Sequence, residues 1–358
     1  MNEKSLDVLK QYNLNVYKAG RGRGGMILNT DCGTKLFLEC SKCDRYYERE
    51  DTITQAVAEN GFGIIDTYIR NYDGNLVSQD EEGRRYVIKD WFDGRECNVG
   101  DITDLCFSVN ALGRLHNTFK SVAKEYSPGT VEVFTLEAEN TSELQADKDN
   151  NAIKSGNIFK NGSSSMVRDT YLRHMRELKS ASNYLKSKKN KSDFEQLAFK
   201  NIRAFYDEAK HAVSLINDER FDERFKDAQD SGELIHGSYN YHNILFSDKC
   251  VAITNFDKCK NECQIYDLYQ FMRKILEKYN WDIQLGYKLI DEYDKVKPID
   301  DTDLNLLSAL FEFPFKFWKI INYYYNSSKS WIPPKSIEKL KLTIDQNDKR
   351  RKFIETIA

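Results

Sequence analysis

One short segment constrains the fold of this chain more than any other. Residues 235–246 read Ile-His-Gly-Ser-Tyr-Asn-Tyr-His-Asn-Ile-Leu-Phe, and Asn255, Phe256 and Asp257 follow. The apolar residues at its ends and before Asn255 predict strands, and the polar residues between them predict a loop. Strands joined in this way are expected to bring the polar side chains into one site.

The spacing of these polar residues fits phosphoryl transfer. Kinase-like phosphotransferases carry a loop carboxylate that orients and deprotonates the acceptor hydroxyl, and an Asn five residues later that holds Mg²⁺. An Asp after the next strand holds Mg²⁺ against the nucleotide phosphates. In this chain the corresponding positions are Ser238, Asn243 and Asn255, and His236 precedes the first of them.

The rest of the chain predicts an α+β fold of two lobes, like that of protein kinases. Residues 1–92 predict a small lobe with an antiparallel sheet and one helix, Asp44–Asn60, and residues 93–358 predict a large, mainly helical lobe. The small-lobe strands are expected at Met26–Asn29, Leu36–Cys40, Ile64–Ile69 and Arg85–Phe92. The large lobe would contain the loop 235–257, long helices at Ser164–Lys188 and Ser192–Asn217, a strand at Cys250–Phe256 and a polar insertion at 128–165.

A glycine-rich segment lies near the start of the chain. Gly20, Gly22 and Gly25 form a G-x-G-x-x-G pattern, but strands are predicted on both sides of it. A dinucleotide-binding fold would place a helix after the pattern, so that fold is disfavoured. A nucleotide-binding loop and a plain hairpin turn both remain open.

Composition excludes several classes of protein. The chain has 53 Lys and Arg and 56 Asp and Glu among 358 residues, a formal charge of −3, so it is not a chain-wide basic nucleic-acid binder. A hydrophobic content of 40% excludes disorder as the main state. No secretory signal or membrane-spanning run is visible, so we expect a cytoplasmic site of synthesis.

The cysteines offer one candidate metal site. Cys40 and Cys43 form a C-x-x-C pair, and Cys259 and Cys263 are spaced by three residues. Four thiolates could bind a tetrahedral metal, but these pairs lack the spacing of zinc ribbons. Reduced thiols in the core or at the surface are the preferred interpretation.

Several stretches spread along the chain resemble one family. The chain is similar to the aminoglycoside/choline kinase-like superfamily, whose loop reads His-Gly-Asp-x-x-x-x-Asn, and within it to the CotS-type spore coat proteins of endospore-forming bacteria. The stretches that support the narrower likeness are residues 30–35, 90–97, 112–116, 237–243, 313–318 and 323–331. The resemblance implies a protein made in the mother-cell cytoplasm, deposited in the spore coat, and acting on other coat proteins rather than on nucleic acid or membrane.

The chain departs from that superfamily at the residues that carry the chemistry. Ser238 replaces the general-base Asp, Asn255 replaces the metal-binding Asp, and Glu39 lies where the phosphate-binding Lys is expected. Loss of a general base alone typically lowers the rate by roughly 10²–10⁴. Glu39 would also repel phosphates and would face a helix that carries Glu48 and Glu50. The three replacements together predict a pseudokinase with no nucleotide or metal cofactor.

Other polar residues keep alternatives open. Asp257 could replace Asn255 as a metal ligand beside Asn243, or could simply turn the chain. Asp267 is implied by the resemblance to support the loop. His116 is interpreted as a buried structural histidine, and His242 either faces the cleft or caps the loop.

Three hypotheses follow. The first is a non-catalytic coat protein that binds through exposed aromatic side chains, some of them among residues 313–318 and 323–325. The second is an active phosphotransferase that uses ATP and Mg²⁺ with Asn243 and Asp257. The third is a nucleotide-binding switch without catalysis.

Overall fold

A computed structural model describes residues 3–22, 24–125, 165–247, 250–326 and 334–357. By their contacts these residues fall into two compact units. The first contains residues 3–125, 233–260 and 264–299, and the second contains residues 165–232, 261–263 and 300–357, in both cases without the gaps. The predicted lobe boundary at residue 92 stays a prediction, and the predicted insertion at 128–165 lies outside the described residues apart from Ser165.

The first unit begins with an antiparallel sheet. After a 3₁₀ helix at Glu3–Gln11, its strands lie in the order β1-β2-β3-β7-β5, and β6 also pairs with β7. The strands are β1 (Val16–Arg21), β2 (Met26–Thr30), β3 (Gly33–Glu39), β5 (Tyr68–Ile69), β6 (Ser78–Gln79) and β7 (Arg85–Asp90). One face of the sheet packs Phe37 and Tyr86 with residues of the 3₁₀ helix, and the other packs Leu38 and Val87 with Tyr47 of helix α1 (Asp44–Glu59).

A second, smaller sheet supports the polar loop. Its strands lie in the order β4-β11-β10-β8, where β4 is Ile64–Ile65, β8 is Arg95–Glu96, β10 is Ile244–Phe246 and β11 is Val251–Ile253. Strands β10 and β11 are antiparallel neighbours, so the residues before β10 and after β11 meet at one end of the pair. Two further short strands are β9 (Leu234–Ile235) and β12 (Lys260–Asn261).

The helices of the first unit pack around the loop. Helix α2 (Ile102–Glu125) buries Leu105, Val109, Leu112, Leu115 and Phe119 along one side, the apolar spacing of an amphipathic helix. It packs against helix α7 (Ile283–Asp294), which follows helix α6 (Ile265–Leu276) in the chain. Helix α2 also contacts β9, the strand that precedes the polar loop.

The second unit is helical. Its helices are α3 (Met166–Ser187), α4 (Asp193–Ile216), α5 (Asp222–Asp230), α8 (Asp301–Glu312), α9 (Phe315–Asn326), α10 (Pro334–Asp345) and α11 (Asn347–Ile357). A short 3₁₀ helix, Glu219–Phe221, precedes α5. The start of α4 is fixed by a capping box, in which Ser192 accepts from the Glu195 N–H and Glu195 accepts from the Ser192 N–H.

The predicted α+β class, with a small antiparallel sheet and a large helical part, is confirmed. Sequence periodicity found helices α1, α3 and α4 to within two residues, but it gave no bounds for the strand before the glycine-rich segment, which is β1. The predicted single strand at Ile64–Ile69 is wrong. It is two short strands, because β4 pairs with β11 while β5 pairs with β7 in the other sheet. None of the helices in the described ranges is both long and apolar enough to span a membrane.

Candidate functional site

A buried carboxylate fixes the polar loop of the first unit. Asp267, at the start of α6, is fully buried and accepts hydrogen bonds from the backbone N–H groups of His236 at 2.6 Å and Gly237 at 2.9 Å. It also lies 3.2 Å from Nε2 of His116, whose Nδ1 lies 2.7 Å from the Tyr293 hydroxyl. The role that the resemblance implies for Asp267, support of the loop, agrees with these contacts.

Gly237 is required by two features of the loop. Its φ is +72°, a conformation that side chains with a Cβ rarely adopt. A Cβ at this position would also lie 2.1 Å from the carbonyl oxygen of Lys258, which is backbone and has little room to move. The loop and the segment after β11 therefore pass each other at the distance that only glycine permits.

His236 is a structural histidine in this arrangement. Its Nδ1 accepts from the Ser238 N–H at 3.2 Å, and its Nε2 lies 3.2 Å from the Thr254 carbonyl oxygen, to which it donates. Burial lowers the pKa of His236 to about 4, which keeps the ring neutral at pH 7. Both ring nitrogens are occupied, so this side chain has no free nitrogen to act as a base.

Ser238 and Asn243 are brought together, as the loop spacing predicts. The Asn243 amide donates to the Ser238 carbonyl oxygen at 2.9 Å and reaches the Ser238 hydroxyl at 3.4 Å. The Thr254 N–H donates to the Asn243 carbonyl oxygen at 2.9 Å, which joins the loop to the end of β11. A hydroxyl stands where a phosphotransferase would place its carboxylate, and a neutral Ser hydroxyl takes up no proton at pH 7.

Asn255 follows β11 with a left-handed backbone. Its φ is +70°, a conformation in which Asn is enriched, and its backbone N–H donates to both carboxylate oxygens of Asp66 at 3.1 and 3.0 Å. Its residue is exposed. Asn255 is therefore held through its backbone, and its exposed side chain is a neutral amide.

Asp257 lies two residues further on and is partly buried. The Tyr46 hydroxyl donates to its backbone carbonyl oxygen at 2.7 Å, whereas its Oδ1 is buried with no hydrogen-bond partner among the described residues. Burial and the nearby Glu50 raise the pKa of this carboxyl group. Of the two candidate metal ligands, Asn243 and Asp257, only Asp257 is a carboxylate, and a bound cation would give its Oδ1 atom a partner.

A lysine that the sequence analysis missed lies at the centre of this region. Lys89, on β7, is 3% exposed, and its ammonium lies 2.5 Å from Glu50 of α1 and 3.0 Å from Asp66. Glu50 also accepts from the Tyr68 hydroxyl at 2.7 Å. Burial opposes the charge of Lys89, but the attraction of the two carboxylates outweighs it and raises the lysine pKa. We call these three residues, Lys89, Glu50 and Asp66, the ion cluster.

The ion cluster corrects the expectation about Glu39. Glu39 is the exposed last residue of β3 and pairs in register with Tyr86, whose ring packs on the 3₁₀-helix face. It therefore lies on the face opposite α1 and does not approach Glu50. Protein kinases take the lysine of the lysine–glutamate pair from their third strand. Here the lysine comes from β7, directly across the ladder from Leu36 of β3.

The glycine-rich segment is a tight hairpin between β1 and β2. The Gly22 N–H donates to the Gly25 carbonyl oxygen at 2.9 Å, and a Cβ on Gly25 would lie 2.3 Å from the Phe37 carbonyl oxygen. A Cβ on Gly20 would meet no atom within 4 Å, so packing does not require glycine there. At position 25 the close approach of the Phe37 backbone requires glycine whether or not a nucleotide binds.

The remaining candidate residues do not contact Ser238 or Asn243 in the described hydrogen bonds. His242 is partly exposed and its Nδ1 contacts the Glu96 carboxylate across to β8, so it braces the outer side of the loop. Glu48 is exposed on α1. Within the described ranges no three His, Cys, Asp or Glu side chains gather in a way that could hold a metal ion. Cys40, Cys43, Cys259 and Cys263 form no disulfide bonds within the described residues.

The kinase-like fold implies ATP and Mg²⁺, and the residues present do not fit that pair. A magnesium–nucleotide complex is held by an Asp and an Asn and faces a lysine that reaches the phosphates. Asn255 is neutral, Lys89 is buried between two carboxylates, and Asp257 alone offers a charged oxygen. The site is therefore a kinase-like scaffold with an altered donor set.

Comparison with solved structures identifies the fold. No family model matches the chain, and no curated protein is significantly similar to it in sequence. An aminoglycoside phosphotransferase from Alicyclobacillus acidocaldarius superposes with a TM-score of 0.77 at 16% identity, covering 98% of this chain and 94% of that one. The chain has the protein-kinase-like fold of the aminoglycoside phosphotransferases.

Two other enzymes show the same fold. A spectinomycin phosphotransferase, solved with ADP and spectinomycin, matches with a TM-score of 0.61 at 12% identity, covering 98% of each chain. A microcompartment-associated aminopropanol kinase matches with a TM-score of 0.57 at 12% identity, covering 99% of this chain and 97% of that one.

We predict that Lys89→Met strongly destabilises the first unit. Removing the cation leaves Glu50 and Asp66 buried side by side, a change that typically costs about 3–5 kcal/mol. The loss should shrink as the pH falls, because burial raises the pKa of the Asp66 carboxyl to about 6 and its protonation removes the repulsion. Urea unfolding at pH 7 and pH 5 measures both effects.

The matched control for that variant is Lys35→Met. Lys35 is also a buried lysine of this sheet, but its partner Asp90 is 38% exposed in its side chain and can be solvated when unpaired. The control should therefore lose less free energy of unfolding than Lys89→Met. Equal losses would contradict the assignment of a special role to the ion cluster.

His236 predicts a defined response to acid. The folded protein binds its proton at a pKa of about 4, well below the usual value near 6.5, so the unfolded state gains the proton first as the pH falls. The stability that depends on the neutral ring is complete above pH 6.5 and is lost between pH 6.5 and 4, at about 1.4 kcal/mol per pH unit. His236→Asn should reduce that slope. Unfolding free energies measured across this range check the prediction.

Proposed function

We propose that this chain is a kinase-fold protein that does not transfer phosphate and that acts by binding other proteins. One observation carries the proposal: the polar loop is fully supported by Asp267 and His236, yet the base position carries the Ser238 hydroxyl. The scaffold of a phosphotransferase is present without the group that would accept the proton of the attacking hydroxyl. The ion cluster supports the same conclusion, because a lysine enclosed by two carboxylates does not reach phosphates.

The finer proposal concerns the place of action. The stretches of sequence that resemble CotS-type proteins support a role as a spore coat component, made in the mother cell and deposited on the spore. Exposed aromatic side chains offer surfaces for coat partners, among them Tyr323 and Tyr184, which are 59% and 48% exposed. The proposed partners are coat proteins, with no part for nucleic acid or membrane.

One observation favours the second candidate, an active phosphotransferase. The Oδ1 atom of Asp257 is buried without a partner in the described part of the chain, as it would be if a cation beside Asn243 completed it. Asp257→Asn would then abolish activity. A nucleotide-binding switch without turnover shares the fold but needs no base.

The first test measures ADP release from ATP with Mg²⁺. We expect no release by the wild type above that by Asn243→Ala, and no Mg²⁺-dependent rise in Tm at millimolar ATP. Asn305→Ala is the matched control. Its exposed side-chain amide donates a hydrogen bond to the Asp301 carbonyl oxygen of the same helix, at 2.7 Å.

Magnesium-dependent release that Asn243→Ala loses and Asn305→Ala keeps would overturn the proposal in favour of the phosphotransferase. A Tm shift without ADP release would retain the absence of phosphoryl transfer but would make the chain a nucleotide-binding switch.

The second test locates the chain in spores. A tagged copy expressed in an endospore-forming host should remain with purified spores and leave them with the coat proteins on alkaline detergent extraction. Immunoblots of coat extract, decoated spores and mother-cell lysate measure this distribution. A chain found only in the mother-cell lysate would contradict the coat role and would leave the non-catalytic assignment intact.

A further inference from the structure

The helical unit contains a groove that the kinase-like site does not use. It lies between α3 and α9, and its volume is about 350 Å³, within the range of small-molecule pockets. Its lining combines two arginines of α3 with aromatic and amide side chains of α9. The groove belongs entirely to the second unit.

One wall of the groove is a fixed indole ring. The Trp318 Nε1 donates to Glu177 at 2.7 Å, and the His174 ring stacks on Trp318 with centroids 3.4 Å apart and an interplanar angle of 24°. Burial, with a smaller effect of Arg173, lowers the pKa of His174 to about 3, so the stacked ring is neutral. Trp318 is thereby held between a hydrogen bond and a second aromatic ring, and it offers a rigid face for a flat apolar group.

The polar groups that face the groove are mainly donors. Arg173 and Arg176 lie three residues apart on α3, so they share a helix face, and neither forms an ion pair with a described residue. The Tyr325 hydroxyl is buried and has no hydrogen-bond partner among the described residues. The single lining carboxylate, Glu177, already accepts from Trp318.

The Tyr325 hydroxyl is positioned by its ring. That ring contacts Tyr184 edge-on at 5.3 Å and Tyr324 at 4.9 Å. Burial, together with the charge of Glu195, raises the pKa of Tyr325, so the hydroxyl keeps its proton and can donate. Because this hydroxyl is closed to solvent, a molecule in the groove does not reach it, and Tyr325 lines the groove through its other atoms.

We propose that this groove binds a small organic anion, an aromatic carboxylate whose ring packs on Trp318 and whose carboxylate is held by Arg173 and Arg176. Guanidinium groups pair with carboxylates through two parallel hydrogen bonds. The ring requirement separates this ligand from inorganic phosphate, which would meet the donors but leave the indole wall uncovered.

The test uses fluorine NMR on the full chain. The probe is 4-fluorophenylacetate, whose resonance should broaden on addition of protein and sharpen again on addition of unlabelled phenylacetate. The neutral 4-fluorophenylacetamide should broaden little, and inorganic phosphate should displace the probe poorly. Broadening of the amide equal to that of the acid, or no broadening of the acid at millimolar concentration, would overturn the proposal.

Variants at exposed positions test the donors without disturbing the fold. The pair Arg173→Gln and Arg176→Gln should weaken probe binding by about 10-fold or more, because both guanidinium partners of the carboxylate are lost. The control is Arg203→Gln on α4, where the side chain is 91% exposed, and binding should not change. Undiminished binding by the double arginine variant would show that the probe binds elsewhere and would sink the assignment.

Discussion

Four segments of the first unit depend on one buried cation. Lys89 of β7 binds Glu50 of α1 and Asp66, the residue after β4, and Asp66 in turn accepts the N–H of Asn255 after β11. Two carboxylates buried together without a cation would repel each other and lose their solvation. The packing of helix α1 and of both sheets around these carboxylates therefore requires the charge of Lys89. The Tyr68 hydroxyl on Glu50 and its ring, 4.4 Å from the ammonium, complete the enclosure.

The lysine–glutamate pair of this chain is built differently from that of protein kinases. A kinase lysine on the third strand both pairs with the helix glutamate and reaches the nucleotide. Lys89 comes from the adjacent strand β7 and is enclosed by a second carboxylate, Asp66, as well as by Glu50. The pairing between helix and sheet therefore needs no lysine from β3 in this chain.

The sequence was sufficient for the features that depend on local pattern. Apolar spacing predicted helices α1, α3 and α4, and the offsets within 235–246 predicted that Ser238 and Asn243 meet. It was not sufficient for features set by strand register. Glu39 and Leu38 differ by one position in β3 yet face opposite sides of the sheet, so a slip of one residue placed Glu39 beside Glu50. A signal for Lys89 did exist: a lysine at the end of the apolar run Tyr86-Val-Ile is a buried charge that needs partners.

Two buried carboxylates of the first unit fix the loop through its backbone. Asp267 accepts hydrogen bonds from the backbone N–H groups of His236 and Gly237, just before Ser238, and Asp66 accepts from the N–H of Asn255. Because these contacts are made to the backbone, they do not depend on which side chain stands at position 238 or 255. Replacing Asp66 or Asp267 would therefore release the loop, whereas a change of side chain at Ser238 would alter its chemistry at a smaller structural cost.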